Sequence, residues 1–74
     1  MIYLQTSNKE ARLTKEVLEE VNFSHLFDLD QEQESKNTWV FGEPGDNTDR
    51  LVEEFRETLA YYGLSDFNVS SINF

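Results

Sequence analysis

Hydrophobic and polar positions along this chain follow two periods, one typical of strands and one typical of helices. Residues 2–5 predict a short strand. Apolar residues that recur at helical spacing then predict an amphipathic helix; they are Leu13, Val17, Leu18 and Val21. Ser7 followed by Glu10 fits a capping box at the start of this helix. Thr14 is the alternative cap of a shorter helix.

The middle of the chain predicts a hairpin and a loop. Residues 26–33 alternate between apolar or amide side chains and acidic ones, which predicts a strand. Residues 38–41 are β-branched or aromatic and predict the returning strand. Residues 42–47 contain two glycines and the single proline, so they predict a loop.

A second helix and a last strand complete the pattern. Asp46 or Asn47 would cap this helix, and Gly63 followed by Leu64 is typical of a left-handed helix end. The predicted buried stripe consists of Leu51, Val52, Phe55, Leu59 and Tyr62. Residues 67–74 alternate loosely and predict the final strand.

The resulting order, β-α-β-β-α-β, predicts an α+β, ferredoxin-like two-layer sandwich. This architecture has a four-stranded antiparallel sheet with two helices on one face. Right-handed crossovers would place the first and third strands in the centre and the second strand at an edge. With 74 residues, positions 1–74 are expected to form a single small domain.

The register of the hairpin decides which face carries the acidic side chains. A two-residue turn at residues 35–36 would set Glu32 opposite Trp39 and mix carboxylates into the aromatic face. A three-residue loop at residues 35–37, with Asn37 at positive φ, moves the carboxylates to the other face. Because a one-residue slip turns every side chain to the opposite face, we predict the three-residue loop.

Charge then singles out this hairpin. Residues 26–49 contain seven acidic residues against Lys36 alone, so they carry −6 of the net charge of −9. Four of the acids form an acidic row at every second position: Asp28, Asp30, Glu32 and Glu34. Along a strand, alternate side chains share one face and repeat about every 6.6–6.8 Å. Neighbouring phosphates of one DNA strand are roughly 7 Å apart.

The acidic row is predicted to belong to a larger partner-binding surface. Strand direction would place Asp28 near the loop and extend the row through three further acids, Glu43, Asp46 and Asp49. A secondary stripe, Glu53 and Glu57, lies one helical turn apart on the second helix. The competing interpretation is that charge protects an edge strand from unwanted pairing.

Several functional classes are not supported by any pattern. The chain has no cysteine. His25 is its single histidine, and the sequence identifies no catalytic partner for it. Asp28, Asp30 and Glu32 begin like a calcium loop, but Trp39 stands where the bidentate glutamate is required. A net charge of −9 disfavours direct contact with nucleic acid. We therefore predict a non-enzyme with no cofactor and no metal.

The leading hypothesis is a non-catalytic acidic inhibitor that imitates nucleic-acid phosphates. It would bind the basic DNA- or RNA-binding site of a nucleoid protein, nuclease, polymerase or defence effector, and phages often encode such inhibitors. The first alternative is an immunity or antitoxin protein against one basic toxic enzyme, anchored by Tyr61, Tyr62 or Tyr3. The second is a small regulatory domain with a small-molecule site, which forms a homodimer through its last strand. No leader or membrane segment is apparent, so a cytoplasmic location is expected.

Overall fold

The computed structural model describes residues 1–42 and 48–71. Four strands and three helices lie in these two ranges. They are β1 (Ile2–Thr6), α1 (Ala11–Val21), α2 (Phe23–Leu26), β2 (Asp30–Ser35), β3 (Thr38–Gly42), α3 (Thr48–Tyr61) and β4 (Phe67–Ser71). The strands form one antiparallel sheet in the order β2-β3-β1-β4, with β1 and β3 central. The predicted α+β sandwich is therefore confirmed, with α2 as an additional short helix.

The core lies between the sheet and the long helices. Alternate strand residues are fully buried on one face of the sheet, Ile2 and Leu4 on β1 and Trp39 and Phe41 on β3. The helices supply the other half of the core, which includes Val17, Leu18, Phe55 and Leu59. The opposite face of the sheet carries half-buried or exposed residues such as Tyr3, Gln5 and Val40. This open face has no helix packed on it within the described residues.

The buried side of helix α1 differs from the one that its apolar residues predict. Leu13 was predicted to be buried but is 43% exposed, whereas Thr14 is fully buried. The Thr14 hydroxyl donates to the Glu10 carbonyl at 2.8 Å, so its polar atom is satisfied inside the helix. A buried threonine then costs little, because a buried polar group is expensive only when it lacks a partner.

Helix α3 follows its predicted pattern closely. Val52, Phe55 and Leu59 are buried and Leu51 is half-buried, while Tyr62, just after the helix, is 37% exposed instead of buried. Gly63 has φ of 88°, and the Leu64 N–H donates to the Leu59 carbonyl at 3.1 Å, which forms a Schellman end. The predicted caps Asp46 and Asn47 lie outside the described residues, as do residues 72–74 of the predicted last strand.

The predicted second strand is wrong over its first half. Leu26, the predicted first residue of the strand, instead ends the short helix α2, in which Phe23 turns inward and stacks on Phe55 with ring centroids 4.0 Å apart. Asp28 then adopts a left-handed conformation with φ of 55°, so it cannot belong to the strand. Strand β2 begins only at Asp30.

The predicted register of the hairpin is confirmed, although its loop is not. Gln31 pairs with Phe41, Glu32 with Val40 and Gln33 with Trp39, which leaves the carboxylates on the open face. The connection is a two-residue turn instead of three residues, because the register shifts between Gln33 and Ser35 at a bulge. One extra residue in the strand replaces one extra residue in the loop.

Asn37 also departs from its predicted role in this turn. It does not adopt positive φ; in the described residues only Asn22, Asp28 and Gly63 do so. Its amide instead donates to the Thr6 carbonyl at 2.8 Å, and the Thr6 N–H donates to the Asn37 carbonyl at 3.0 Å. The turn is thereby fastened to the end of β1.

The predicted capping box is only half formed. The Ser7 hydroxyl accepts from the Glu10 N–H at 3.3 Å, but the Glu10 side chain does not return to Ser7. Its carboxylate accepts from the N–H groups of Asp66 at 2.8 Å and Ser65 at 3.0 Å. These donors hold the pKa of Glu10 below its ordinary value of 4.5. Glu10 therefore joins the start of α1 to the segment that leads into β4.

This lowered pKa predicts an acid-sensitive contribution to stability. A carboxyl group with a lower pKa in the folded state stabilises the fold above its unfolded pKa. The contribution falls away as the pH drops from about 4.5 through the lower folded pKa of Glu10. We expect Glu10→Gln to destabilise the protein at neutral pH and to flatten the acid limb of its stability profile.

Urea denaturation between neutral pH and about pH 3 measures this effect. Glu19→Gln is the matched control, because Glu19 is an exposed residue of the same helix. If the two variants show the same pH dependence, the contact of Glu10 with residues 65–66 does not contribute to stability.

Candidate acidic interface on the edge strand

Strand β2 lies at the edge of the sheet and exposes all six of its residues. Three of them, Asp30, Glu32 and Glu34, form what we call the acidic edge. Asp30 and Glu32 point to the open face of the sheet, since their partners are Gly42 and Val40, next to the buried Phe41. The fold therefore separates these carboxylates from the aromatic core.

The spacing of the carboxylates is regular only between Asp30 and Glu32. Two residues along a strand correspond to about 6.6–6.8 Å. Glu34 lies at the bulge, where the one-to-one pairing with β3 is interrupted. Asp28 lies in the turn before the strand and is exposed there. The predicted acidic row of four is thus reduced to two regularly spaced acids with one further acid on either side.

The carboxylates of the acidic edge have no ion pair within residues 1–42 and 48–71. The ion pairs formed there join Arg12 to Glu16 on α1, at 3.7 Å, and Arg56 to Glu53 on α3, at 2.8 Å. A shallow depression of about 400 Å³ adjoins Asp30 and Glu32 and is also lined by Met1, Gln31, Val40 and Gly42. The acidic edge is therefore accessible both along the strand and from the open face.

The structure does not bring Asp49, a predicted extension of this surface, next to the acidic edge. Asp49 lines a different depression, of about 360 Å³, together with Ser70 and Ser71 of β4. Strands β4 and β2 are the two opposite edges of the sheet. Three strand spacings separate them, which is about 14 Å. The other two predicted extensions, Glu43 and Asp46, lie outside the described residues.

The predicted secondary stripe also divides into two environments. Glu53 is paired with Arg56 on the side of α3 that faces β4. Glu57, one turn later, lines a shallow groove of about 400 Å³ with Val21 of α1 and the two tyrosines at the end of α3. The two carboxylates therefore have different neighbours, although they lie one turn apart on the same helix.

An exposed aromatic pair is the second distinctive feature of the surface. Tyr61 is 85% exposed and meets Tyr62 edge to face, with ring centroids 5.4 Å apart. Leu26, at the end of α2, is 62% exposed. The sequence indicates that Tyr61 is exposed, since it falls outside the apolar stripe of α3, but it places Tyr62 within that stripe. It gave no such signal for Leu26, which was assigned to a strand.

The described residues contain neither a metal-binding cluster nor a membrane-spanning helix. His25 is exposed, and its backbone N–H donates to the side chain of Asn22 at 3.3 Å. Within the described ranges no group of three or more acidic or histidine side chains is arranged to hold a metal ion. In the same part of the chain, no helix combines the length and the apolar character needed to cross a membrane.

Comparison with known proteins adds no relative: no family model, no curated protein and no solved structure matches this chain. The structure defines the chain as a small acidic α+β domain with an exposed acidic edge strand and a separate exposed tyrosine pair.

The exposure of the acidic edge predicts that its carboxylates are dispensable for folding. Asp30→Asn with Glu32→Gln should leave the free energy of unfolding unchanged within about 0.5 kcal/mol, as is usual for exposed surface positions. Any increase in the free energy of unfolding should come from relief of like-charge repulsion and should be smaller at high salt. Urea denaturation at low and high ionic strength measures both effects. A loss of more than about 1 kcal/mol would show that these side chains are structural.

Proposed function

We propose that this protein is a non-catalytic acidic inhibitor that occupies the basic nucleic-acid-binding site of another protein. The observation that carries the proposal is the acidic edge, in which exposed carboxylates of an edge strand have no ion pair among the described residues. The partner would be a nucleoid protein, nuclease, polymerase or defence effector. Binding would be competitive with DNA or RNA.

The physical basis is electrostatic complementarity. Asp30 and Glu32 repeat at nearly the spacing of phosphates along one DNA strand, about 7 Å. Lysine and arginine side chains that bind neighbouring phosphates could bind neighbouring carboxylates with little rearrangement. Complementary charge mainly raises the association rate and the selectivity of binding, and both effects weaken as salt screens the charges.

A charge reversal at the acidic edge tests this proposal. Asp30→Lys with Glu32→Lys should reduce displacement of DNA from basic DNA-binding proteins by at least about tenfold, because two attractive contacts become repulsive. Fluorescence anisotropy of a labelled duplex, measured with several unrelated basic proteins at two salt concentrations, gives the displacement directly.

The matched control is Glu19→Lys with Glu20→Lys, on the exposed face of α1, which changes the net charge by the same amount. It should change displacement by no more than about threefold, since it alters only the long-range field. If both double variants compete as well as the unmodified protein, or lose competition equally, the acidic edge is not the binding surface.

A second candidate function is favoured by the tyrosine pair. An immunity or antitoxin protein covers one toxic enzyme, and aromatic side chains near the centre of such interfaces carry much of the binding energy. Tyr61 is 85% exposed and lies beside Glu57 in the groove between α1 and α3. This surface would combine an aromatic anchor with a carboxylate for a basic partner.

Truncation of the anchor distinguishes this candidate. If one tight partner is captured from a host lysate, Tyr61→Ala should weaken its binding by about 30-fold or more, as expected for an interface hot spot. Tyr61→Phe, which keeps the ring, should retain most of the affinity. Surface plasmon resonance with the captured partner measures both variants. Equal affinity for all three proteins would exclude Tyr61 as an anchor.

A further inference from the structure

The two edges of the sheet are not equivalent. On β4, the Arg56 guanidinium donates to the backbone carbonyl of Val69 at 2.8 Å, so a side chain of α3 already occupies part of that strand. On β2, no strand pairs with the outer side within the described residues. One edge is therefore partly covered by the protein itself, and the other is open.

The open edge has the geometry of a template for strand pairing. Asp30 to Gln33 keep an uninterrupted register with β3, and the bulge comes only after Gln33. The strand contains no proline, and all its residues are exposed. An edge strand of this kind presents backbone N–H and C=O groups that can pair with another extended chain.

Charge decides which chain can pair there. A second copy would place the acidic edge against itself, and like charges directly opposite each other destabilise a strand pair. A strand with lysine or arginine at alternate positions would instead set opposite charges against Asp30 and Glu32. The same carboxylates thus disfavour pairing with a second copy of the chain and favour pairing with a basic strand.

The alternate positions of β2 are compatible with such pairing. Gln31 and Gln33 lie on the core face of the sheet but remain exposed at its edge. The Ser24 hydroxyl donates to the Gln31 side-chain oxygen at 3.2 Å, which positions that amide. A partner strand would therefore meet carboxylates on one face and neutral amides on the other.

We propose that β2 binds an extended basic segment of the partner by strand addition, with backbone hydrogen bonds along its outer edge. This inference rests on the proposed function, because it specifies how the basic partner is recognised. It goes further in requiring a β-strand partner segment, whereas phosphate imitation requires only suitably placed basic side chains.

The test uses the whole protein and synthetic peptides of about eight residues, a usual strand length. One peptide alternates lysine and threonine, and one alternates glutamate and threonine. At saturation with the lysine peptide, hydrogen exchange of backbone amides in β2 should slow by at least about tenfold, because newly paired amides are protected. The glutamate peptide should not bind.

A charge-swapped variant shows whether the charges on β2 determine which peptide binds. Asp30→Lys with Glu32→Lys should bind the glutamate peptide, protect the same β2 amides and reject the lysine peptide. Binding of the swapped peptide also shows that the variant is folded. Glu19→Lys with Glu20→Lys should keep the preference for the lysine peptide.

Three results would overturn strand addition. The lysine peptide could bind without protecting β2 amides, which indicates side-chain attraction alone. The lysine peptide could fail to bind while the protein still displaces DNA from basic DNA-binding proteins, a result that contradicts strand addition but not the proposed function. Protection could appear without peptide and grow with protein concentration, which identifies a second copy as the occupant. Conversely, peptide pairing without displacement of DNA would support strand addition and reject the inhibitor function.

Discussion

The stacking of Phe23 on Phe55 is the contact on which the middle of the chain depends. The two rings lie 4.0 Å apart between centroids, and Phe41 meets Phe55 edge to face at 4.9 Å. One ring from α2, one from α3 and one from β3 therefore join at a single point of the core. Complete burial of such a side chain contributes about 1.5–3 kcal/mol. That is a large share of the roughly 3–5 kcal/mol that a core of this size can supply.

This aromatic contact also determines where the acidic edge begins. Phe27 lies four residues after Phe23, and a helical turn brings both rings within 6.0 Å of Phe55. The chain must then reverse, and it does so with Asp28 at positive φ and Leu29 donating to the Ser24 carbonyl at 2.8 Å. Asp30 is consequently the first residue free to pair with β3, so core packing sets the length of the candidate interface.

Sequence reasoning succeeded where a pattern was long or where one alternative was costly. Helix α3 gave four turns of periodicity, and the register of β2 followed because the other register would have placed Glu32 on the buried face beside Trp39. The strand prediction is wrong at residues 26–29, because so short a segment fits a strand or a helix equally well and only the contact between Phe23 and Phe55 decides. Within the candidate site, Asp30 and Glu32 were correctly assigned to one face. The position of Asp49 depended on the packing of α3 beside β4, which no local pattern encodes.

The carboxylates of the acidic edge repel one another, whether they bind a partner or protect the edge strand. Charged side chains help to keep an edge strand from pairing with other chains, and carboxylates about 7 Å apart in water repel by roughly 0.6 kcal/mol before screening. Within the described residues Glu16 and Glu53 have cation partners, Arg12 and Arg56, whereas other exposed acids, such as Glu19, Glu20 and Glu57, form no ion pair. No such cation is paired with the acidic edge in the described part of the chain. The repulsion between these carboxylates is therefore not relieved within the described part of the fold, and a basic partner of the proposed kind would relieve it on binding.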